Sequence, residues 1–523
     1  MSAPPARRLP AWAPTVAVAA ALVALIAASF AERWQALSAS PFPIGIDGYF
    51  YPVQLRSLLE TGGLQYPAAP LAFWLMAPLA AATDPITGAK LGAALYGALI
   101  ALPAYGLGAR LGRGRGAGLV AAALAAQSAG SAYLTIEFVK NGIGLTIGLA
   151  ALWVLLRALE APSRARVLAA GGALVAVALA HKMVFGLLVV VAIPALIAAR
   201  AGRGRLHGRR LLYTIGGLAA AGGLAAAIGL ASPRRFLSPA DAALASGLLT
   251  ADARWDAPAF AGRGIVLSLG HEALAGLCLA ILARLALTRL GGRAIEGATH
   301  AIIPREHVGR PPAAPPPGDA AAGWAIAAIA IAQGLPWLDV GDAQGLAFRL
   351  RITAFVPLAL VAAMLAGRLA AWLRHRDLAL AALAALLALP TPGARDEGRV
   401  ATHPALVTSI QAMAGQVPAG DTVIVPERHV AYMIAWYLRA PVSLRPEPVP
   451  PARRWRVMLL NWIGAGSALD RALLAARDAP GLPPPLGLHP NHPNGMVLVA
   501  EPAWQAIAAG LPPTSRWRRW ETR

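Results

Sequence analysis

Residues Ala11–Phe30 read AWAPTVAVAAALVALIAASF, an unbroken apolar stretch that follows two arginines. A helix of about twenty residues rises roughly 30 Å, which matches the thickness of the bilayer core. The stretch therefore predicts a first membrane-spanning helix. The small residues at its end also leave open a cleaved signal peptide, and the uncleaved helix is the preferred interpretation.

The composition excludes most soluble classes of protein. The 523-residue chain is 57% hydrophobic and 14% charged, and its formal net charge is +21. Its arginines stand in short clusters between apolar runs, which is typical of membrane orientation and not of nucleic-acid binding, so no nucleic-acid partner is expected. A single cysteine, Cys278, excludes a disulfide framework and a thiolate metal site.

Apolar runs recur along the chain at lengths that fit helices in a bilayer. They predict an α-helical polytopic membrane protein of about eleven transmembrane helices. The predicted spans are 11–30, 86–108, 117–134, 141–157, 167–180, 183–199, 211–231, 264–287, 321–337, 346–367 and 378–391.

The positive-inside rule gives these spans a direction. Arginine-rich connections follow every second span, whereas acids and bases nearly balance in the others. Cytoplasmic loops carry the excess of arginine and lysine, so the N-terminus is predicted to be cytoplasmic. The segment 31–85 is then an outer loop, and every candidate residue named below is predicted to lie on the extracytoplasmic side.

The pattern changes after residue 391. VPAGDTVIVPERHVAYMIAWYLRAPVSLRP predicts a strand, an amphipathic helix and a second strand, and RRWRVMLLNW predicts a further strand. We therefore expect two domains, a transmembrane domain at 1–391 and a small extracytoplasmic α/β domain at 392–523.

One carboxylate, Asp47, lies in the first outer loop, in PIGIDGYFYPVQLRSLLETG (Pro43–Gly62), just before a predicted amphipathic helix. It could serve as a helix cap or turn residue, with Tyr49 and Tyr51 at the lipid headgroups. It could instead be a catalytic carboxylate, with the two tyrosines shaping a pocket for a sugar or a lipid.

Polar residues also gather where later spans reach the outer side. Glu137, Lys140 and Asn141 form one group, which could be a simple interfacial ion pair or could face a cavity. His181 and Lys182 interrupt a long apolar stretch. They could mark a plain hairpin, or they could bind a lipid phosphate, since lysine acts as a point charge.

Arginines begin a late span and open one long outer loop. Arg349 and Arg351 follow Asp342 and lie just inside the helix, where a charge needs a partner or a path to the surface. One of them could bind an anion, or the group could be a structural ion pair. Arg234 and Arg235 open an outer loop that could simply be solvated.

The Asp-Gly-Tyr-x-Tyr sequence after the first span, together with the helix layout and the α/β tail, resembles the GT-C superfamily of membrane glycosyltransferases. That superfamily includes oligosaccharyltransferase subunits, protein O-mannosyltransferases and aminoarabinose transferases. The resemblance implies transfer of a sugar from a polyprenyl-phosphate carrier to an acceptor at the outer face.

The resemblance also implies roles for particular residues. Asp47 would position or deprotonate the acceptor, and Glu137 would occupy the loop of a second acidic motif. Arg349 or Arg351 would contact the carrier phosphate, with help from Lys182 and His181. The pocket would include Tyr49, Tyr51, Lys140, Asn141, Arg234 and Arg235.

No cofactor is expected. The family often has a paired acidic motif where this chain has one glutamate, and a divalent metal prefers several oxygen ligands. The expected partners are the lipid-linked donor and membrane lipids, in a bacterial inner membrane. A transporter or flippase of a lipid-linked glycan, or a non-catalytic scaffold of this fold, are the alternatives.

Overall fold

The computed structural model of the chain describes residues 12–45, 47–201, 349, 352–370, 376–388, 404–425, 428–443, 449–459, 467–483, 485–486 and 496–512. The chain divides into two units. The membrane unit comprises Met1–Ser38, Tyr66–Met76 and Leu91–Glu397, and the sheet unit comprises Ala39–Gln65, Ala77–Lys90 and Gly398–Arg523.

The described residues up to 201 form helices that are mostly rich in alanine, leucine and valine. They are α1 (Ala13–Ser38), α2 (Phe50–Thr61), α3 (Leu71–Ala82), α4 (Pro85–Leu99), α5 (Ala101–Leu111), α6 (Arg115–Gln127), α7 (Ala129–Glu137), α8 (Val139–Glu160), α9 (Arg164–Ala180) and α10 (Lys182–Ala201). Two later helices of the membrane unit are α11 (Phe355–Leu369) and α12 (Arg376–Leu387).

Several of these helices can cross a membrane. Thr15–Ser38, Pro85–Leu111 and Val139–Glu160 are each long and apolar enough, and α6 with α7 would make a fourth span bent by 45°. The chain is therefore a helical, multi-pass membrane protein. The count of eleven spans stays a prediction, because the spans predicted at 211–231, 264–287 and 321–337 lie outside the described residues.

Helix α6 lies at the centre of the membrane unit, where it contacts α1, α5, α11 and α12. Its inward positions are alanines such as Ala121, Ala122 and Ala125, all of which are buried. Small side chains let neighbouring helix backbones approach closely in lipid, where apolar burial alone does not drive association. The alanines of α6 thus allow tight packing of the helices around it.

The structure differs from the sequence-based boundaries in three places. Helix α1 continues eight residues beyond the predicted end at Phe30, to Ser38, and α3 is an apolar helix inside the predicted outer loop. The span predicted at 117–134 is broken, because Ser128 is extended and its side chain caps α7 by accepting a hydrogen bond from the Ser131 amide. The break frees backbone carbonyls at the end of α6, which need other donors.

The C-terminal part of the sheet unit alternates helices and strands. Its elements are α13 (Pro404–Ala412), β1 (Thr422–Ile424), α14 (Arg428–Tyr437), β2 (Val442–Ser443), β3 (Arg454–Leu459), α15 (Ala468–Arg477), β4 (Met496–Ala500) and α16 (Glu501–Gly510). The strands form one sheet in the order β2-β1-β3-β4. Strand β1 pairs in parallel with β2 and β3, and β3 pairs antiparallel with β4.

Both faces of this sheet are covered. Along β4, Met496 and Leu498 belong to one apolar cluster, whereas Val497 and Val499 belong to another. Successive side chains of a strand point to opposite faces, so the two clusters lie on opposite sides of the sheet. The predicted domain boundary at 391 falls among residues 389–403, which lie outside the described part, and the division at that point stays a prediction.

Candidate active site

Residues 44–50 form what we call the Asp47 turn. Gly45 has a φ of 94°, a backbone conformation that favours glycine. The Gly48 amide donates to the Gly45 carbonyl over 3.0 Å. A Cβ at Gly48 would lie 2.7 Å from the Ile44 carbonyl oxygen, which is too close. The two glycines therefore fix a tight turn around Asp47.

Asp47 is half-buried and precedes α2. Its Oδ1 atom is shielded from solvent. The Phe50 amide donates to its backbone carbonyl over 2.9 Å, and the N-cap residue of α2 is Tyr49, whose own side chain makes no capping hydrogen bond. Asp47 thus lies in the turn that leads into α2. Its catalytic role stays a prediction.

Tyr49 and Tyr51 are both buried. The Tyr49 hydroxyl shares a hydrogen bond of 3.0 Å with the Tyr437 hydroxyl, and the two ring centroids are 5.6 Å apart. Tyr49 belongs to the apolar cluster that contains Val423 and Leu498. The predicted role of the two tyrosines in a substrate pocket stays a prediction, and Tyr49 in particular is committed to contacts inside the protein.

Two helix breaks in the membrane unit carry the other candidate residues. Helix α7 ends at Glu137 and α8 begins at Val139, with Phe138 non-helical between them. Helix α9 ends at Ala180, and His181 is extended before α10 begins at Lys182. Glu137 and Lys140 therefore stand on different helices and not one turn apart on a single helix.

The two breaks lie close together because α8 has a glycine where it passes His181. A Cβ at Gly144 would lie 2.5 Å from the Cβ of His181, closer than two such atoms can approach. Only glycine permits this packing, and it brings the polar residues of both breaks into one region.

Replacing Gly144 by alanine is expected to lower the free energy of unfolding by about 1–3 kcal/mol, because the added methyl group overpacks the contact with His181. Thermal unfolding in detergent would measure the loss. Gly142→Ala is the matched control in the same helix, since its Cβ would meet only Leu134 at an ordinary 3.6 Å. Equal stability of the two variants would contradict the close contact.

The two breaks bury polar side chains. Glu137 is 1% exposed, and Asn141 and His181 are each 4% exposed. Within the part of the chain that the structure describes, Nδ2 of Asn141 and Nδ1 of His181 have no hydrogen-bond partner. A buried amide without a partner is costly, which is the pattern expected where a ligand supplies the missing group.

Positive charge surrounds His181. Burial is the main cause that holds the pKa of His181 well below its usual value, and the charges of Lys140, Arg349 and Lys182 lower it further. The His181 ring is therefore neutral at pH 7. We call Lys140, His181, Lys182 and Arg349 the basic cluster, which the structure assembles from three distant parts of the sequence.

Arg349 lies six residues before the start of α11, and its carbonyl accepts a hydrogen bond of 3.2 Å from the Thr353 amide. Its guanidinium carbon is 5.0 Å from the centroid of the Phe138 ring, the residue at the first break. A guanidinium over an aromatic face is attracted by the electron density of the ring. This contact ties Arg349 to the break that carries Glu137.

Several predicted site residues cannot be compared with the structure. Arg351, Arg234 and Arg235 lie outside the described residues, as does Asp342, the proposed partner of an arginine in the structural alternative. Their roles stay predictions.

The sequence analysis missed Arg33, which is buried near the end of α1. Its guanidinium donates to the Ala126 carbonyl, to the Ser131 and Thr135 hydroxyls, and to the carbonyl and hydroxyl of Ser29. Arg33 thereby satisfies the end of α6 at the helix break. Three polar residues spaced for one face of α7 and its cap were the available signal: Ser128, Ser131 and Thr135.

The described residues contain no group of three histidine, cysteine, aspartate or glutamate side chains that could hold a metal ion.

Residues 67–227 match the family described as dolichyl-phosphate-mannose-protein mannosyltransferase. The matched segment is under half of the chain; it includes Glu137 and the two helix breaks but excludes Asp47 and Arg349. The match confirms the resemblance to membrane glycosyltransferases of the GT-C superfamily, and that is the class to which this multi-pass protein is similar.

Two crystal structures of ArnT from Cupriavidus metallidurans are similar to the chain. The structure bound to undecaprenyl phosphate is 15% identical in sequence, with a TM-score of 0.47. The matched region covers 97% of this chain and 100% of the ArnT chain. The apo structure is 16% identical in sequence, with a TM-score of 0.42. The matched region covers 95% of this chain and 100% of the ArnT chain. Both TM-scores are too low to establish a common fold by themselves. No curated protein sequence matches the chain.

Proposed function

We propose that this chain is a membrane glycosyltransferase that moves a sugar from a polyprenyl-phosphate carrier to an acceptor at the outer face of the membrane. The single observation that carries the proposal is the basic cluster, in which Nδ1 of the buried His181, like Nδ2 of the nearby Asn141, has no hydrogen-bond partner among the described residues. The match to a mannosyltransferase family supports the same reaction class.

The basic cluster suits the phosphate of such a carrier. Lys140, Lys182 and Arg349 supply positive charge, and the buried Asn141 amide can donate to a phosphate oxygen. Ammonium and guanidinium groups bind phosphate through short, charge-assisted hydrogen bonds. Electrostatic stabilisation is stronger where water is excluded, as it is around His181. A phosphate whose charge is compensated in this way is a good leaving group, so no separate general acid is needed.

Asp47 is the proposed acceptor-side carboxylate. It would orient the acceptor and take its proton as the acceptor oxygen or nitrogen bonds to the anomeric carbon. In the same step the bond from that carbon to the phosphate oxygen breaks, and the carrier phosphate leaves with the electron pair. General-base catalysis of this kind contributes typically 10²–10⁴-fold to a rate. Direct displacement inverts the anomeric centre.

The finer assignments are part of the proposal. They comprise about eleven spans in a transmembrane domain at 1–391, an extracytoplasmic α/β domain at 392–523, a cytoplasmic N-terminus and a bacterial inner membrane. The donor-binding residues would include Arg351, and the pocket would include Tyr51, Arg234 and Arg235. The partners are the lipid-linked sugar and membrane lipids, and we propose no cofactor.

Binding of undecaprenyl phosphate to the purified, detergent-solubilised protein tests the proposal. Lys182→Gln and Arg349→Gln are each expected to weaken this binding about tenfold, because each removes one charge-assisted contact to the phosphate. Native mass spectrometry would measure both affinities. Undecaprenol, which lacks the phosphate, should bind weakly to all variants.

Arg157→Gln is the matched control, since Arg157 is an exposed arginine on α8 outside the basic cluster. The proposal fails if undecaprenol binds as tightly as undecaprenyl phosphate, or if Arg157→Gln weakens binding as much as the other two changes.

A transporter or flippase of a lipid-linked glycan is the second candidate. Broken helices are typical of transporter sites, and α6–α7 is such a helix. In those sites the freed carbonyls coordinate ions, whereas here Arg33 already satisfies the Ala126 carbonyl. That occupancy favours a structural break over a transport site. A non-catalytic scaffold would bind the carrier and transfer no sugar.

A further inference from the structure

Helix α14 of the sheet unit packs along α2, which begins at the Asp47 turn. The Tyr49 and Tyr437 hydroxyls are 3.0 Å apart, and the Phe50 ring centroid lies 5.0 Å from that of Tyr432. The His429 and Tyr49 rings also form a T-shaped pair, with their centroids 6.2 Å apart. A helix remote in sequence therefore surrounds the last two residues of the turn.

Arg56 makes a second attachment seven residues after Tyr49, further along α2. Its guanidinium donates to the Trp436 carbonyl over 2.7 Å and to the Ala435 carbonyl over 2.9 Å. The last four carbonyls of a helix have no intrahelical partner, and α14 ends at Tyr437, so Arg56 caps this helix. The guanidinium carbon also lies 4.5 Å from the Trp436 ring centroid. The two hydrogen bonds and the ring contact together hold the Arg56 guanidinium at the end of α14.

The tyrosine pair is suited to hold the turn in one position. Tyr49 is completely buried. A buried hydroxyl group is costly unless it is hydrogen-bonded, so the hydrogen bond to Tyr437 holds the Tyr49 side chain in one position. Burial outweighs the hydrogen bond from Tyr49 and raises the pKa of Tyr437, which keeps the Tyr437 hydroxyl protonated at neutral pH. Tyr49 is only two residues from Asp47.

We propose that α14 is the positioning element of the Asp47 turn, with Tyr437 and the C-terminal carbonyls of α14 holding Tyr49 and Arg56. This gives the C-terminal α/β segment a role in orienting the catalytic carboxylate, and it rests on the proposed function of Asp47. Tyr437 and Arg56 are positioning residues, because they act through the backbone of the turn.

Hydrogen exchange tests the structural half of the proposal. The Gly48, Phe50 and Val53 amides are hydrogen-bonded within the turn and the start of α2. Tyr437→Phe and Arg56→Gln are each expected to speed exchange in peptides covering 44–54 about fivefold, while peptides of β3 and β4 keep their rates. Tyr96→Phe, which removes a hydroxyl bonded to Leu75 in the membrane unit, and Arg477→Gln are controls and should leave the turn unchanged.

Kinetics tests the functional half. With mannose carried on undecaprenyl phosphate as the donor, Tyr437→Phe should lower kcat about tenfold and leave KM for the donor unchanged, since a displaced catalytic group costs rate and not carrier binding. In an Asp47→Asn background the same change should have no further effect.

Unchanged exchange at the turn in both variants would overturn the proposal, and so would a tenfold loss that persists when Asp47 is already asparagine. Full transfer activity of Asp47→Asn alone would instead refute the proposed function. In that event the exchange result still decides whether α14 orders the turn.

Discussion

Replacing Asp47 by asparagine is expected to lower the rate of sugar transfer about a thousandfold, within the range that general-base catalysis contributes. Asparagine has nearly the same shape and keeps the backbone hydrogen bond from Phe50, so the Asp47 turn should persist. It cannot take a proton from the acceptor. Affinity for undecaprenyl phosphate should stay at the level of the unaltered protein, because the basic cluster is unchanged.

Transfer of a radiolabelled sugar from a polyprenyl-phosphate donor in membranes would measure this effect. Asp84→Asn is a suitable control in the same unit, because Asp84 caps α4 by accepting from the Ile86 and Thr87 amides and asparagine caps helices equally well. If Asp47→Asn transfers the sugar at the same rate as Asp84→Asn, the carboxylate of Asp47 takes no part in the reaction.

Replacing Arg33 by methionine is expected to lower the free energy of unfolding by about 3–5 kcal/mol. The change leaves the Ala126 carbonyl buried without a donor at the break between α6 and α7, and an orphaned buried group costs about 1–3 kcal/mol. The remaining loss of stability comes from the missing charge-assisted hydrogen bonds to Ser131 and Thr135. Relief of the desolvation of the guanidinium offsets part of this loss, since a buried charge is itself expensive.

Thermal unfolding in detergent would measure this loss. Arg33→Lys should recover only part of the stability, because an ammonium lacks the planar fork that reaches several oxygens at once. Arg157→Gln removes an exposed arginine from the same unit and should change stability by less than about 0.5 kcal/mol. A methionine variant as stable as this control would mean that the break does not depend on Arg33.

The membrane class and much of the helix layout could be predicted from the sequence, because apolar runs of span length leave a strong signal. The C-terminal strands β1 and β3 and the helix α14 also occur within the stretches whose patterns predict them. Both signals are local, since each depends on the periodicity of a few consecutive residues.

The features that the sequence did not reveal depend on partners that are distant in the chain. The first span was predicted to end at Phe30, before Arg33. No sequence feature near Arg33 indicates that the Ala126 carbonyl will need a hydrogen-bond donor. Tyr49 was expected near a ligand, whereas burial against Tyr437 became visible only in the fold. The basic cluster was predicted as separate candidates, and Gly144, which lets them meet, carries no chemical signal of its own.

The attachment between α2 and α14 has a consequence for synthesis of the chain. Tyr437 follows Tyr49 by 388 residues, and Trp436 follows Arg56 by 380. Chains emerge from the ribosome N-terminal end first. The contacts of the Asp47 turn with α14 therefore form only after most of the polypeptide has been synthesised. A polypeptide truncated before α14 would keep α2 but lose the Tyr437 and Trp436 contacts of Tyr49 and Arg56.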